Sequence, residues 1–178
     1  HTPFIVSSSC PFGYKNIIMG PFVRVLEPGD LLIIDTGTVY DGYFCDFDRN
    51  YAFGKASDGA KRAYDTVFKS TEAGFKAAKP GATTSDLWRA MWQVLEDGGA
   101  EGNDIGRMGH GLGMQLTEWP SNTETDNTIL KPGMIMTLEP GMSYDSGKQM
   151  VHEENILITE SGAVMLTKQA EPELPVII

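Results

Sequence analysis

Apolar and polar positions follow two different periods along this chain, and each change of period marks an element. Leu31 to Thr36 is an apolar run of strand length, bounded by Pro28-Gly29 and Gly37. Gly42 to Phe53 is a second strand, entered through the turn formers Tyr40-Asp41-Gly42, so the two predict a β-hairpin. Upstream, Phe4 to Ser7 reads as a short strand, followed by a loop dense in turn formers from Ser7 to Gly13. From Ser57 to about Ala78 the period becomes helical, with Ala63, Val67, Ala73 and Phe75 among lysines and glutamates, a cap region at Asp58-Gly59 and a stop at Lys79-Pro80-Gly81. Thr84 or Ser85 caps a second amphipathic helix carrying Leu87, Ala90, Met91, Val94 and Leu95, closed by Gly98-Gly99. Strand patterns return at Met134–Leu138, Met150–Thr159 and Val164–Thr167, with a turn at Tyr144–Lys148. The expectation is one α+β domain over 1–178, two helices lying side by side on a sheet.

One phrase occurs twice. Leu26-Glu27-Pro28-Gly29 leads into an apolar run ending at Asp35, and Leu130-Lys131-Pro132-Gly133 into one ending at Glu139. In both, a Pro-Gly turn launches a buried strand that delivers an acid six residues after the glycine, where an apolar core disfavours one. Two buried acids need a partner, and a metal is the natural one. Further donors fall in step: Asp46 eleven residues after Asp35, His110 in the glycine-rich bend Gly109–Gly113, and Glu153 fourteen residues after Glu139. Taken singly each has a plain structural reading, as a turn, a packed histidine or a solvated strand face. Their conjunction is far more specific.

Composition narrows the classes. With 178 residues and 41% hydrophobic content the chain is large enough to bury a core. A net charge of −10 with only 14 lysines and arginines excludes the clustered cations that nucleic acids and anionic membranes require. No apolar stretch nears the roughly 20 residues of a membrane span. Cys10 and Cys45 make no disulfide framework, so a reducing, cytoplasmic setting is expected. The abrupt start at His1-Thr2-Pro3 reads as a truncation of something longer.

Four carboxylates and one imidazole form a hard donor set, suited to Mn, Fe(II), Co or Zn. Around one divalent ion they leave a net charge of about −2 and around two about zero, so two ions are expected. Such a pair generates a hydroxide nucleophile and polarises a carbonyl, chemistry for attack on an amide.

These residues resemble the pita-bread metallopeptidases: methionine aminopeptidase, aminopeptidase P, prolidase and the non-peptidase creatinase. The resemblance runs from Leu26 to about Thr167 and rests on Asp35-x-Gly37, Asp46-x-x-Arg49, His110-Gly-x-Gly113, Leu138-Glu139-Pro140-Gly141 and Glu153 before the strand ending at Thr159. It implies a curved, mainly antiparallel sheet backed by helices with a pseudo-twofold, and Asp35, Asp46, His110, Glu139 and Glu153 as ligands of two divalent ions, manganese first. It also implies a hydrolase similar to Xaa-Pro peptidases acting on a small peptide, with Glu139 as proton acceptor and a homodimer in the full-length protein. Three departures stand out. Ile18 and Thr117 occupy positions where the peptidases usually carry histidines, and Asp48 stands where a threonine is usual. Missing histidines open an alternative, a small-molecule enzyme similar to creatinase or the dimethylsulfoniopropionate lyases acting on a zwitterion, with Asp48 or Glu118 abstracting a proton. A binding pseudo-enzyme is the third reading. Asp48 is open between an additional ligand, a general base and the partner of Arg49. Thr117 and Trp119 are expected at the substrate pocket, Trp119 as wall or core residue, and His152 is expected to face away from the metals.

Overall fold

The structure, a computed structural model, describes residues 4–11, 13–17, 23–101 and 106–178. Ile18 lies outside them. The first half opens with β1 (Phe4–Pro11), β2 (Asp30–Gly37), a small hairpin of β3 (Val39–Tyr40) and β4 (Tyr43–Phe44), and β5 (Phe47–Phe53). β2 lies antiparallel between β1 and β5, with Leu31 opposite Ala52 and Asp35 opposite Asp48. The serines and Cys10, expected in a loop, belong to β1. Pairing along the whole of β2, from Phe4 opposite Gly37 to Pro11 opposite Asp30, overrides their weak strand preference.

Two helices follow. α1 (Asp58–Ala77) begins at Ser57, whose hydroxyl accepts the Ala60 N–H at 3.1 Å. α2 (Thr84–Asp97) is capped by Thr83, one residue earlier than expected, because the Asp86 carboxylate returns to the Thr83 N–H at 2.8 Å and closes a capping box. Ala60, Ala63, Val67 and Gly74 of α1 are buried at helical spacing, as are Leu87, Met91 and Leu95 of α2. A Cβ at Gly74 would lie 2.8 Å from the Met91 sulfur, so glycine sets how closely the helices approach.

The second half repeats the first. β6 (His110–Gly111) and β7 (Glu118–Ser121) precede β8 (Ile135–Leu138), a small hairpin of β9 (Gly141–Tyr144) and β10 (Lys148–Val151), β11 (Glu154–Thr159) and β12 (Gly162–Met165). One sheet runs β12-β11-β8-β6-β7. The other runs β1-β2-β5-β13, where β13 (Val176–Ile177) is a parallel edge strand that sequence patterning does not reveal. Met136, Leu138, Ile156 and Ile158 join the buried helical side chains in one core, each contributing about 1.5–3 kcal/mol on burial.

Both expected long strands are broken. In each half a strand is followed by a two-stranded hairpin and then by a return strand that pairs with the first: β2, β3–β4, β5 and β8, β9–β10, β11. Asp46 and Glu153 are the residues immediately before the return strands. The Asp46 N–H donates to the Asn155 side-chain oxygen at 3.1 Å, and the Asn155 amide donates back to the Asp46 carbonyl, tying the two halves together.

Candidate metal centre

Asp46, His110 and Glu153 come together from three separate segments, with one donor atom of each within 4.8 Å of the others. All three are buried. Gly109 sets the entry of His110. Its φ of 118° is disfavoured for other residues, and a Cβ there would lie 2.1 Å from the Thr137 carbonyl oxygen. The His110 N–H is then held by the Thr137 hydroxyl at 3.1 Å.

The histidine tautomer follows from its neighbour. His110 Nδ1 lies 2.9 Å from the Gly111 carbonyl oxygen, which can only accept, so Nδ1 carries the proton and Nε2 presents a lone pair. That lone pair faces Asp46 Oδ2 at 3.7 Å and Glu153 Oε1 at 3.9 Å. These gaps are too long for hydrogen bonds. Two donors each about 2.1 Å from one ion lie about 3.0–4.2 Å apart, so the spacing fits a shared divalent cation.

Asp35 and Glu139 join the cluster. Asp35 hydrogen-bonds Asp46, and its charge and that of Glu139 both act on Asp46 and Glu153. One buried oxygen each of Asp35, Asp46, Asp48 and Glu153 has no hydrogen-bond partner. Such orphaned carboxylate oxygens are costly unless a cation meets them. Among the described residues no lysine or arginine forms an ion pair with any of them. The donor set therefore fits divalent metal.

Burial dominates the titration of the cluster. It pushes the Asp46 carboxyl up to about 8, with Asp35 and Glu139 adding to the shift, and Glu139 up to about 7, against the opposing charge of Arg107. Glu153 and Asp48 are raised well above the usual range, again chiefly by burial. Burial also lowers His110, favouring the neutral ring that a metal requires.

A pH prediction follows. With raised folded values, the folded chain stripped of metal holds protons that the unfolded chain has released, so stability falls as pH rises. The contribution is complete below the unfolded carboxylate values near pH ~4 and is lost as pH passes the folded values of about 7 and about 8. Chelator-treated protein is expected to unfold at a lower temperature at pH 8.5 than at pH 5.5, with manganese removing most of the difference. Equal unfolding temperatures in the stripped protein would contradict the buried cluster.

Other expected site residues are placed less uniformly. Arg49 is not the partner of the Asp48 carboxylate. Alternation along β5 turns it away, to Glu154 at 3.0 Å and to the carbonyls of Glu153 and Lys168. His152 is not part of the Asp46–His110–Glu153 group; it is buried, hydrogen-bonded to Thr71 at 2.7 Å and packed edge-on against Tyr64 and Phe68. A cavity of about 330 Å³ opens beside β6, lined by Tyr43, Met114, Glu118, Trp119, Ile135 and Met136 among others. Trp119 is 74% exposed at this cavity, so it is a wall and not a core residue. Glu118 lines it too, with Oε1 accepting the Gln115 N–H at 2.8 Å. Thr117 is exposed and is not among the lining residues.

Sequence reasoning missed Arg107 and Asn155. Arg107 supplies the cationic charge felt by Asp46, Glu139 and His110, and its position three residues before His110 was the available signal. Asn155 carried none, since its role depends on a contact 109 residues away.

Comparison with known proteins identifies the family and the fold. Residues 3–160 match the model of metallopeptidase family M24. The chain is 35% identical over 143 residues to the Xaa-Pro dipeptidase of Pyrococcus furiosus, covering 80% of this chain and 41% of that protein. It superposes on a dipeptidase from Mycobacterium ulcerans with a TM-score of 0.88 at 30% identity, over 97% of this chain and 46% of the other. On a prolidase from Thermococcus sibiricus the TM-score is 0.86 at 29% identity, over 98% and 47%. The chain thus spans less than half the length of these relatives. Their fold is the α+β pita-bread arrangement expected from the sequence, and a match over residues 3–160 establishes that the chain belongs to metallopeptidase family M24, a family that implies divalent metal.

Proposed function

We propose that this chain is the metal-carrying part of a dipeptidase that cleaves the bond before proline, using two divalent ions, manganese first among them. The observation that carries the reading is the convergence of Asp46, His110 and Glu153, with orphaned carboxylate oxygens around them, in a chain whose relatives include Xaa-Pro dipeptidases. Asp35 and Glu139 complete the ligand set. When bound, the ions would polarise the scissile carbonyl and make a water acidic enough to attack near neutral pH.

The chain's own residues do the rest. Glu139 takes the proton of the attacking water and passes it to the leaving nitrogen. Asp46 and His110 stay fixed through the Asn155 amide and the Thr137 hydroxyl. Tyr43, Met114 and Trp119 give the cavity beside β6 an apolar rim for a small peptide's side chain, and Glu118 braces the loop that carries the rim. The free thiols of Cys10 and Cys45 support a reducing cytoplasmic setting.

The test is hydrolysis of Xaa-Pro dipeptides by protein supplied with manganese or cobalt, and its loss on chelation. Threonine at 117 favours the second reading, a small-molecule enzyme, because a hydroxyl cannot shuttle protons near neutrality. Turnover of a small zwitterion with no dipeptide cleavage would overturn the peptidase reading in its favour. Metal binding without any turnover would leave a binding protein.

A further inference from the structure

Asp48 is the one acid in the cluster that the repeated pattern does not call for. The β2–β5 register sets it directly opposite Asp35, and directly opposed residues share a face with Cβ atoms about 4.5–5.5 Å apart. Asp48 is only 2% exposed; its carboxylate accepts the Glu153 backbone N–H, but its Oδ1, like that of Asp35, has no hydrogen-bond partner. The nearest cation in sequence, Arg49, is committed on the other face to Glu154. Like charges opposed across a strand pair repel, and a buried carboxylate without a cation is costly. The chain itself supplies no ion pair for this one among the described residues.

We propose that Asp48 is an additional metal-holding carboxylate, acting beside Asp35 opposite it in the sheet, and that it tightens metal retention. The inference rests on the metal reading above and adds to its ligand set. Four carboxylates balance two divalent ions. A fifth leaves the filled site about one charge negative and so draws cations more strongly. A threonine at this position, usual in the resembling peptidases, lacks that charge. The cost falls on the metal-free chain, where Asp35 and Asp48 oppose each other across the strand pair.

The experiment compares wild type, Asp48→Asn and Asp48→Thr. Each is stripped with chelator, titrated with manganese against a competing metal indicator, and melted with and without metal. Expected are two manganese ions per wild-type chain and a roughly 10–100-fold weaker affinity for at least one of them in both variants. Stripped Asp48→Asn should unfold at a higher temperature than stripped wild type. Affinities within a factor of about two of wild type, in variants no more stable when stripped, would overturn the proposal and make Asp48 a packing residue. A weaker affinity in Asp48→Asn together with a less stable stripped form would also overturn it, because a damaged fold then explains the loss. Wild type that takes up no manganese would instead overturn the whole metal reading, an outcome visible before any variant is measured.

Discussion

In the proposed dipeptidase, His110→Ala is expected to cut kcat/KM by about a thousandfold or more and to lower metal content in the same preparation. Nε2 is the neutral donor of the Asp46–His110–Glu153 group, and its lone pair is fixed by the Nδ1 hydrogen bond to Gly111. A correctly held ion supplies several kcal/mol of transition-state stabilisation. Losing about 4 kcal/mol of it corresponds to about a thousandfold in rate. Asp46→Ala should behave alike, while Thr137→Val, which removes only the hydroxyl bracing the His110 N–H, should cost far less. Elemental analysis beside the dipeptide assay checks this. Full metal content with full activity in His110→Ala would remove the histidine from the site.

The second large effect lies one step outside the cluster. Glu154 is fully buried and accepts from Arg49 at 3.0 Å, from the Ala170 N–H at 2.8 Å and from the Thr167 hydroxyl. Arg49→Ala leaves that carboxylate buried without its cation, a change worth about 3–5 kcal/mol. For a chain of this size the unfolding temperature should fall by roughly 10 °C. Because Glu153 adjoins Glu154 and its carbonyl also accepts from Arg49, metal affinity should fall in parallel. Arg49→Lys should recover part of the stability but not all, since one ammonium cannot span the carboxylate and the carbonyls at once. Thermal melts of the three proteins decide it, and a loss below about 1 kcal/mol in Arg49→Ala would show the pair to be dispensable.

The sequence made the proposed ligands legible because a buried acid at the end of an apolar run is hard to explain otherwise, and the run occurs twice. Asp35 and Glu139 stand out for that reason, and Asp46 and Glu153 through their spacing. The breaks before β5 and β11 were not legible. Alternation assumes a continuous strand, and whether residues 150–159 are one strand or two depends on which neighbour each part pairs with, β9 or β8. The same nonlocal pairing turned the serines of β1 into strand. The α2 cap was misplaced by one residue, since three consecutive hydroxyl residues offer similar caps and only the Asp86 return bond selects Thr83. The fate of Asp48 depended on where Arg49 pointed, and that was set by Glu154, 105 residues away.

The amide of Asn155 grips the backbone of Asp46 across 109 positions of chain. Contacts of such long sequence separation form late, after loop-closure entropy has been overcome, and slow the search for the native state. The three-residue donor group does not exist in either half alone. A cation held by all three side chains would therefore stabilise only molecules whose two halves have already met.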